Sequence, residues 1–137
     1  MANTLTPKAR SLLTKMGTIA RTDTTAKTLF GIPKDALIVG IYVIGAAASD
    51  AGTTATIGIG SSTSANEYMT GYDVKTAATG EGYNPAGAAA VGSALASKLT
   101  ADVTVYGIYA ESGSASSAGG SWTIKVEYYV TGPGETL

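Results

Sequence analysis

Residues 36–48 read Ala-Leu-Ile-Val-Gly-Ile-Tyr-Val-Ile-Gly-Ala-Ala-Ala, an apolar stretch between Asp35 and Asp50. The stretch is well short of the roughly 20 residues that a membrane helix needs. Its Val, Ile and Tyr residues favour a strand over a helix. We therefore predict a buried β-strand here, and the rest of the fold has to cover it.

Both faces of this predicted strand are apolar. Successive side chains of a strand point to opposite sides, so one face is expected to carry Leu37, Val39, Ile41 and Val43. The other face is expected to carry Ile38, Tyr42 and Ile44. A small domain that fills its core from one face must still cover the second. We place a candidate subunit interface at Ile38, Tyr42 and Ile44; the alternative covers are residues 88–99 or a folded-back N-terminal segment.

Further strands are predicted on both sides of this one. Residues 18–30 fit one or two strands, and the alternation of side chains predicts others at 53–60, 67–76, 103–110 and 122–130. We expect the last two to form an antiparallel hairpin with a long Gly/Ser-rich loop. Residues 88–99 fit a short helix or a strand equally well. About seven or eight strands with turn signals between them predict an all-β domain, an antiparallel β-sandwich or jelly roll.

The N-terminal segment has the pattern of an arm or short helix. Thr6 and Pro7 suit a helix start, and Ala9, Leu12, Leu13 and Met16 then share one helical face before Gly17. This divides the chain into an N-terminal arm or helix at 1–17, a sandwich domain at 18–131 and a C-terminal tail at 132–137.

Glycines recur inside the predicted strands, at Gly40, Gly58 and Gly107. Their spacing is irregular and forms no repeat. Glycines within strands mark bulges or places where another backbone comes close. We interpret these three in that way.

The charges are unevenly distributed. Residues 1–34 hold six bases and one acid, and the remaining residues hold three bases and nine acids. Such a basic segment is either merely solvated or lies on an acidic protein surface. Nucleic acid is less favoured, because a dedicated binder has a strongly basic domain with interleaved aromatic residues. The candidate anchoring residues are Lys8, Arg10, Lys15 and Arg21.

The chain lacks the residue types on which much enzyme chemistry depends. It has no histidine and no cysteine, which removes the Ser-His-Asp triad, the usual zinc ligands and any disulfide. Asp50, Asp73 and Glu81 are expected in loops, where calcium could bind, but they lack the order of an EF-hand. We predict no enzyme activity, no metal and no cofactor.

The chain also has no signal-peptide or membrane-spanning pattern, so we expect a soluble protein that binds no membrane.

Three stretches carry a resemblance to known proteins. Residues 21–36 read Arg-Thr-Asp-Thr-Thr-Ala-Lys-Thr-Leu-Phe-Gly-Ile-Pro-Lys-Asp-Ala, residues 51–60 read Ala-Gly-Thr-Thr-Ala-Thr-Ile-Gly-Ile-Gly, and residues 119–129 read Gly-Gly-Ser-Trp-Thr-Ile-Lys-Val-Glu-Tyr-Tyr. With the apolar strand, the chain resembles small virion structural proteins of tailed bacteriophages, in particular capsid decoration or cement proteins. The resemblance implies a sandwich or jelly-roll body, oligomerisation on the outside of the head, and an N-terminal segment that anchors the body to the shell.

These expectations combine into one functional hypothesis and one rival. The first is a virion protein that binds the outside of a phage capsid as a dimer or trimer and stabilises it, with the major capsid protein as its partner. It would be assembled in the host cytoplasm and located on the capsid surface. The rival is a carbohydrate-binding adhesin, a head fibre or a tail-associated domain. In the rival, Tyr68, Tyr72 and Tyr83 would stack on sugar rings, unless they cover the protein's own core.

Overall fold

The computed structural model describes residues 11–76 and 98–130, and every regular element within them is a β-strand. The seven strands are β1 (Leu13–Ile19), β2 (Lys27–Ile32), β3 (Ala36–Gly45), β4 (Thr54–Gly60), β5 (Met69–Asp73), β6 (Val103–Ser112) and β7 (Trp122–Val130). A three-stranded sheet has the order β1-β7-β3, and a four-stranded sheet has the order β2-β6-β4-β5. Every pairing is antiparallel. The predicted all-β sandwich is confirmed.

The core lies between the two sheets. From the three-stranded sheet, Ile41 and Ile124 are fully buried, and from the four-stranded sheet so are Ile57 and Ile59. These side chains recur at every second position of their strands, as a sandwich with one dry face per sheet requires. Burial of each such side chain stabilises the fold by about 1.5–3 kcal/mol.

A β-bulge interrupts β3 and changes which side chains face the core. Ile38 pairs with Tyr128 and Gly40 pairs with Glu127, so Val39 is an extra residue with no partner on β7. The bulge shifts the alternation by one residue. Ile38 is only 5% exposed and belongs to the core with Ile41, while Val39 is 42% exposed. The expected grouping of Ile38 with Tyr42 and Ile44 is therefore wrong, because Ile38 lies on the inner face.

The glycines of β4 make room for the loop that follows the strand. A Cβ atom at Gly58 would overlap the carbonyl oxygen of Ala65, and one at Gly60 would lie 2.7 Å from the backbone nitrogen of Asn66. The loop of residues 61–67 thus folds back over the outer face of β4. The interpretation of the strand glycines as places of close approach is confirmed here.

The predicted N-terminal helix is wrong where the structure describes it. All seven residues of β1 pair with β7, from Leu13 opposite Tyr128 to Ile19 opposite Trp122. The boundary expected at residue 17 therefore falls inside a strand. The spacing of Leu13 and Met16 fits a helix locally, but pairing with a distant strand decides the conformation. Residues 1–10 lie outside the described part of the chain.

The predicted hairpin of the last two strands is also wrong. Strands β6 and β7 lie in different sheets, so the loop between them crosses from one layer of the sandwich to the other. The helix-or-strand alternative for 88–99 and the tail at 132–137 fall outside the described residues, apart from Lys98 and Leu99.

Candidate interaction surface

The outer face of the three-stranded sheet carries an unusual number of apolar side chains. Residues opposite each other in neighbouring strands share a face, and the register places Met16, Lys125 and Tyr42 in one row across the three strands. Met16 is 62% exposed. We define the apolar face by its six large apolar or aromatic side chains, which are Met16, Leu37, Val39, Tyr42, Ile44 and Tyr129.

Tyr42 is held in a fixed position on the apolar face. Its ring lies over Gly40, where a Cβ atom would stand 2.8 Å from ring atom Cε2. The ammonium group of Lys125 lies 4.7 Å from the centre of the same ring, a cation–π contact. Lys125 Nζ also lies 2.9 Å from Glu127 Oε1. Tyr42 is thus an aromatic group ordered in advance of any partner.

The outer face of the four-stranded sheet differs, because the chain itself covers part of it. The 61–67 loop on β4 is held by Glu67, whose carboxylate accepts hydrogen bonds from the backbone N–H groups of Ser61 (3.0 Å) and Asn66 (3.2 Å) and from the Ser62 hydroxyl. Partial burial opposes ionisation of this carboxyl, but the hydrogen bonds prevail and lower the pKa of Glu67. Because the 61–67 loop covers the outer side of β4, no second apolar surface forms there.

A hydrogen-bonded network organises the loops at one end of the sandwich. The Tyr109 hydroxyl lies 2.7 Å from both Ser49 Oγ and Glu111 Oε2. Hydrogen bonds from Ser116 and Tyr109 lower the pKa of Glu111, with a further contribution from the charge of Arg21. Arg21 Nη1 donates a 2.7 Å hydrogen bond to the carbonyl of Ser116. Arg21 therefore serves the domain's own structure, which argues against the anchoring role expected for it.

Lys15 and Arg21, the two candidate anchoring residues within the described part of the chain, lie apart. Lys15 is exposed and lines an open groove of about 490 Å³ beside β1, together with Ile32, Val103 and Tyr128. Arg21 lies beyond the opposite end of β1. Lys8 and Arg10 fall outside the described residues.

The tyrosines considered for sugar stacking do not form a described platform. Tyr68 is 2% exposed and belongs to the core, and burial raises the pKa of its hydroxyl. Tyr72 is half-buried and packs against the same core. Tyr83 lies outside the described residues. For Tyr68 and Tyr72 the structure thus favours the alternative that these side chains cover the core.

The loop acids act as caps for the backbone. Asp50 accepts hydrogen bonds from the N–H groups of Ser117 (2.9 Å) and Ala118 (2.8 Å), and Asp73 accepts one from the N–H of Lys75 (2.8 Å). Residues 11–76 and 98–130 contain no group of three side chains able to hold a metal ion. The same two ranges include no helix that is long and apolar enough to cross a membrane.

Sequence reasoning found part of the apolar face. It identified Tyr42 and Ile44, which the structure places on the outer side of β3. It missed Leu37 and Val39, which it grouped with Ile41 and Val43, since an alternating pattern does not reveal a bulge. It also missed Met16, which it assigned to an arm or short helix. The alternation along β7 was the signal that could have added Tyr129, because alternate residues share a face and Tyr129 therefore lies on the same side as Lys125 and Glu127.

Comparison with known proteins finds two solved structures that are similar to this one. No protein-family model matches the sequence, and the search of curated proteins found no match. A chain of the cyanophage Pam1 capsid asymmetric unit is similar with a TM-score of 0.63 and 20% identity, over 95% of this chain and 94% of that one. A chain of the acidic stable capsid structure of Helicobacter pylori bacteriophage KHP30 is similar with a TM-score of 0.56 and 12% identity, over 89% and 90% of the two chains. The resemblance to phage virion structural proteins is thus confirmed at the level of the fold.

Proposed function

We propose that this protein is a non-enzymatic structural component of a bacteriophage virion, which binds the outside of the capsid as an oligomer and stabilises the shell. The observation that carries the proposal is the whole-length likeness to chains of two phage capsid structures, which covers 94% and 90% of those chains. A single sandwich domain of about the same length as those chains fits the role of an accessory protein on a phage capsid.

The residues of the chain support a structural role over a catalytic one. The sequence has no histidine and no cysteine. Asp50, Asp73 and Glu111 are occupied in capping loops, and capping is a purely structural use of carboxylates. A role in assembly instead uses surfaces, and the apolar face is such a surface.

Two surfaces have separate tasks in this proposal. The apolar face, including Tyr42 and Ile44, joins subunits, since removal of its area from water contributes about 25 cal/mol per Å² before the entropy of association is subtracted. The basic N-terminal region, with Lys8, Arg10 and Lys15, lies on an acidic surface of the major capsid protein. Arg21 is left out of this set because its guanidinium group bonds within the domain.

Co-sedimentation with capsid shells that lack the protein tests this function. We expect saturable binding of the wild-type chain and shells that withstand higher temperature once coated. The double variant Lys8→Glu/Arg10→Glu should bind shells at least about tenfold more weakly, because opposite charges steer and hold such contacts. The matched control is Lys27→Glu/Lys34→Glu, which makes the same charge change at exposed positions beyond residues 1–17, in the sandwich domain. Absence of wild-type binding, or equal loss in both double variants, would contradict the proposal.

A further inference from the structure

We infer that the apolar face is a two-fold interface on which a second copy of this chain is seated face to face, with Lys125 of each copy paired to Glu127 of the other. This inference rests on the proposed function for its setting and adds the symmetry of the contact and its Lys–Glu pairing.

The first argument is the uncovered area of the face. Met16 and Val39 are 62% and 42% exposed, and the half-buried Leu37, Ile44 and Tyr129 complete the face between and beside them. Exposed apolar side chains gathered on one face of a sheet mark a candidate interaction site. Tyr42 is already ordered over Gly40, so docking loses little side-chain freedom there.

The second argument is the charge of the face, which identifies the partner. Within the described part of the chain, Lys125 and Glu127 are the only charged residues on this face, and they lie side by side on β7. In a two-fold contact, residue i of one copy meets residue j of the other and the reverse also holds. Lys125 of one copy can therefore meet Glu127 of the other, and Glu127 of the first copy can meet Lys125 of the second. The two faces then join without leaving a net charge. An acidic shell surface would instead require a basic face.

The third argument is the route of the chain at the border of the face. The described chain resumes at Lys98, whose ammonium group lies 3.5 Å from the Asp35 carboxylate. Leu99 then donates its N–H to the carbonyl of Ala36 (2.8 Å) and accepts from the N–H of Asp35 (2.9 Å). These contacts lie along the edge of β3 that points away from β7. Lys98 and Leu99 therefore do not extend over the outer face of β7.

Charge reversal provides a test that only a second copy can satisfy. Lys125→Glu brings four carboxylates together in a two-fold dimer and Glu127→Lys brings four ammonium groups together, so each should weaken self-association by about a hundredfold. A mixture of the two single variants restores opposite charges across the contact and should form a heterodimer. The double variant Lys125→Glu/Glu127→Lys should dimerise alone. Thr104→Glu, on the outer face of the four-stranded sheet, is the matched control and should leave the dimer intact.

Sedimentation velocity at micromolar concentration measures the oligomeric state of each variant and of the mixture. Near-ultraviolet circular dichroism of Trp122 checks that each variant is folded. If the wild-type protein is a monomer, the inference is overturned. A monomer is the result expected if residues 77–97 of the same chain covered the face. Folded single variants that dimerise like wild type, or that fail to associate when mixed, also overturn it.

Shell binding measured in parallel separates this inference from the proposed function. A wild-type dimer that does not co-sediment with shells contradicts the proposed function and leaves the interface in place. A chain that binds shells but never dimerises through this face contradicts the interface and leaves shell binding in place.

Discussion

The aromatic rings of Tyr109 and Trp122 stack across the interior of the sandwich, with their centroids 5.6 Å apart and their planes inclined by 11°. Tyr109 belongs to the four-stranded sheet and Trp122 to the three-stranded sheet. The stack therefore joins the two layers near the loop that crosses between them. At its polar end Tyr109 reaches Ser49 and Glu111, so one side chain links the core to the loops.

Removal of the Tyr109 hydroxyl should destabilise the protein while leaving the stacked rings in place. In Tyr109→Phe the buried hydroxyl of Ser49 loses its 2.7 Å partner, and we expect the free energy of unfolding to fall by about 1–2 kcal/mol. Urea unfolding followed by the fluorescence of Trp122 measures this. Tyr106→Phe, on the outer face of the same strand, is the control and should change stability by less than about 0.5 kcal/mol. Equal effects would contradict the role of the network.

Acid should unfold the protein through a set of carboxylates that hydrogen bonds stabilise in their charged form. The pKa values of five of them are lowered in the fold, chiefly by bonds from backbone N–H groups and hydroxyls: Asp23, Asp50, Glu67, Asp73 and Glu111. A lowered pKa in the folded state gives stability that is present above the pKa of the unfolded chain. That stability is lost as the pH falls through the folded value.

The chain has no histidine, so little titrates near neutrality. We expect the free energy of unfolding to be almost constant between about pH 6 and pH 9 and to fall below about pH 4, where unfolded Asp and Glu take up protons. Urea unfolding at a series of pH values tests this. Asp50→Asn should reduce the slope below pH 4, since it removes one of the five groups. A broad loss of stability already between pH 8 and pH 6 would refute this account.

The sequence predicted the strands whose alternation is local and missed what depends on distant pairing. Strands β3, β4, β6 and β7 were located because their side chains alternate or form an apolar run. Strand β1 was taken for part of an arm or short helix because Leu13 and Met16 have helical spacing. Its strand conformation instead comes from pairing with β7, more than a hundred residues away. Two of the six side chains of the apolar face, Tyr42 and Ile44, followed from the pattern. Leu37 and Val39 depended on the bulge in β3, for which Gly40 was the only local sign. Met16 depended on the pairing of β1 with β7.

The bulge in β3 makes a prediction that opposes the simple alternation. Ile38→Thr places a hydroxyl in the core, where Ile38 is 5% exposed, and should lower the free energy of unfolding by about 2–3 kcal/mol. Val39→Thr is nearly isosteric at a 42% exposed position and should change it by less than about 0.5 kcal/mol. Chemical unfolding of both variants decides between the two registers. A greater loss for Val39→Thr would restore the alternation without a bulge.

The return of the 61–67 loop onto β4 can be tested at the glycine that admits it. In Gly58→Ala the new methyl group would overlap the backbone oxygen of Ala65, and a carbonyl fixed in a loop cannot swing away as a flexible side chain can. We expect a loss of about 1–3 kcal/mol, measured by thermal and urea unfolding. Gly31→Ala is the matched control, because its nearest neighbour is the Val103 carbonyl oxygen at 3.8 Å, an ordinary contact. Alanine restricts the unfolded chain more than glycine does, so Gly31→Ala should leave the free energy of unfolding unchanged or raise it by up to about 1 kcal/mol. If both variants unfold alike, the loop does not lie on Gly58, and the outer face of the four-stranded sheet is open to partners as well.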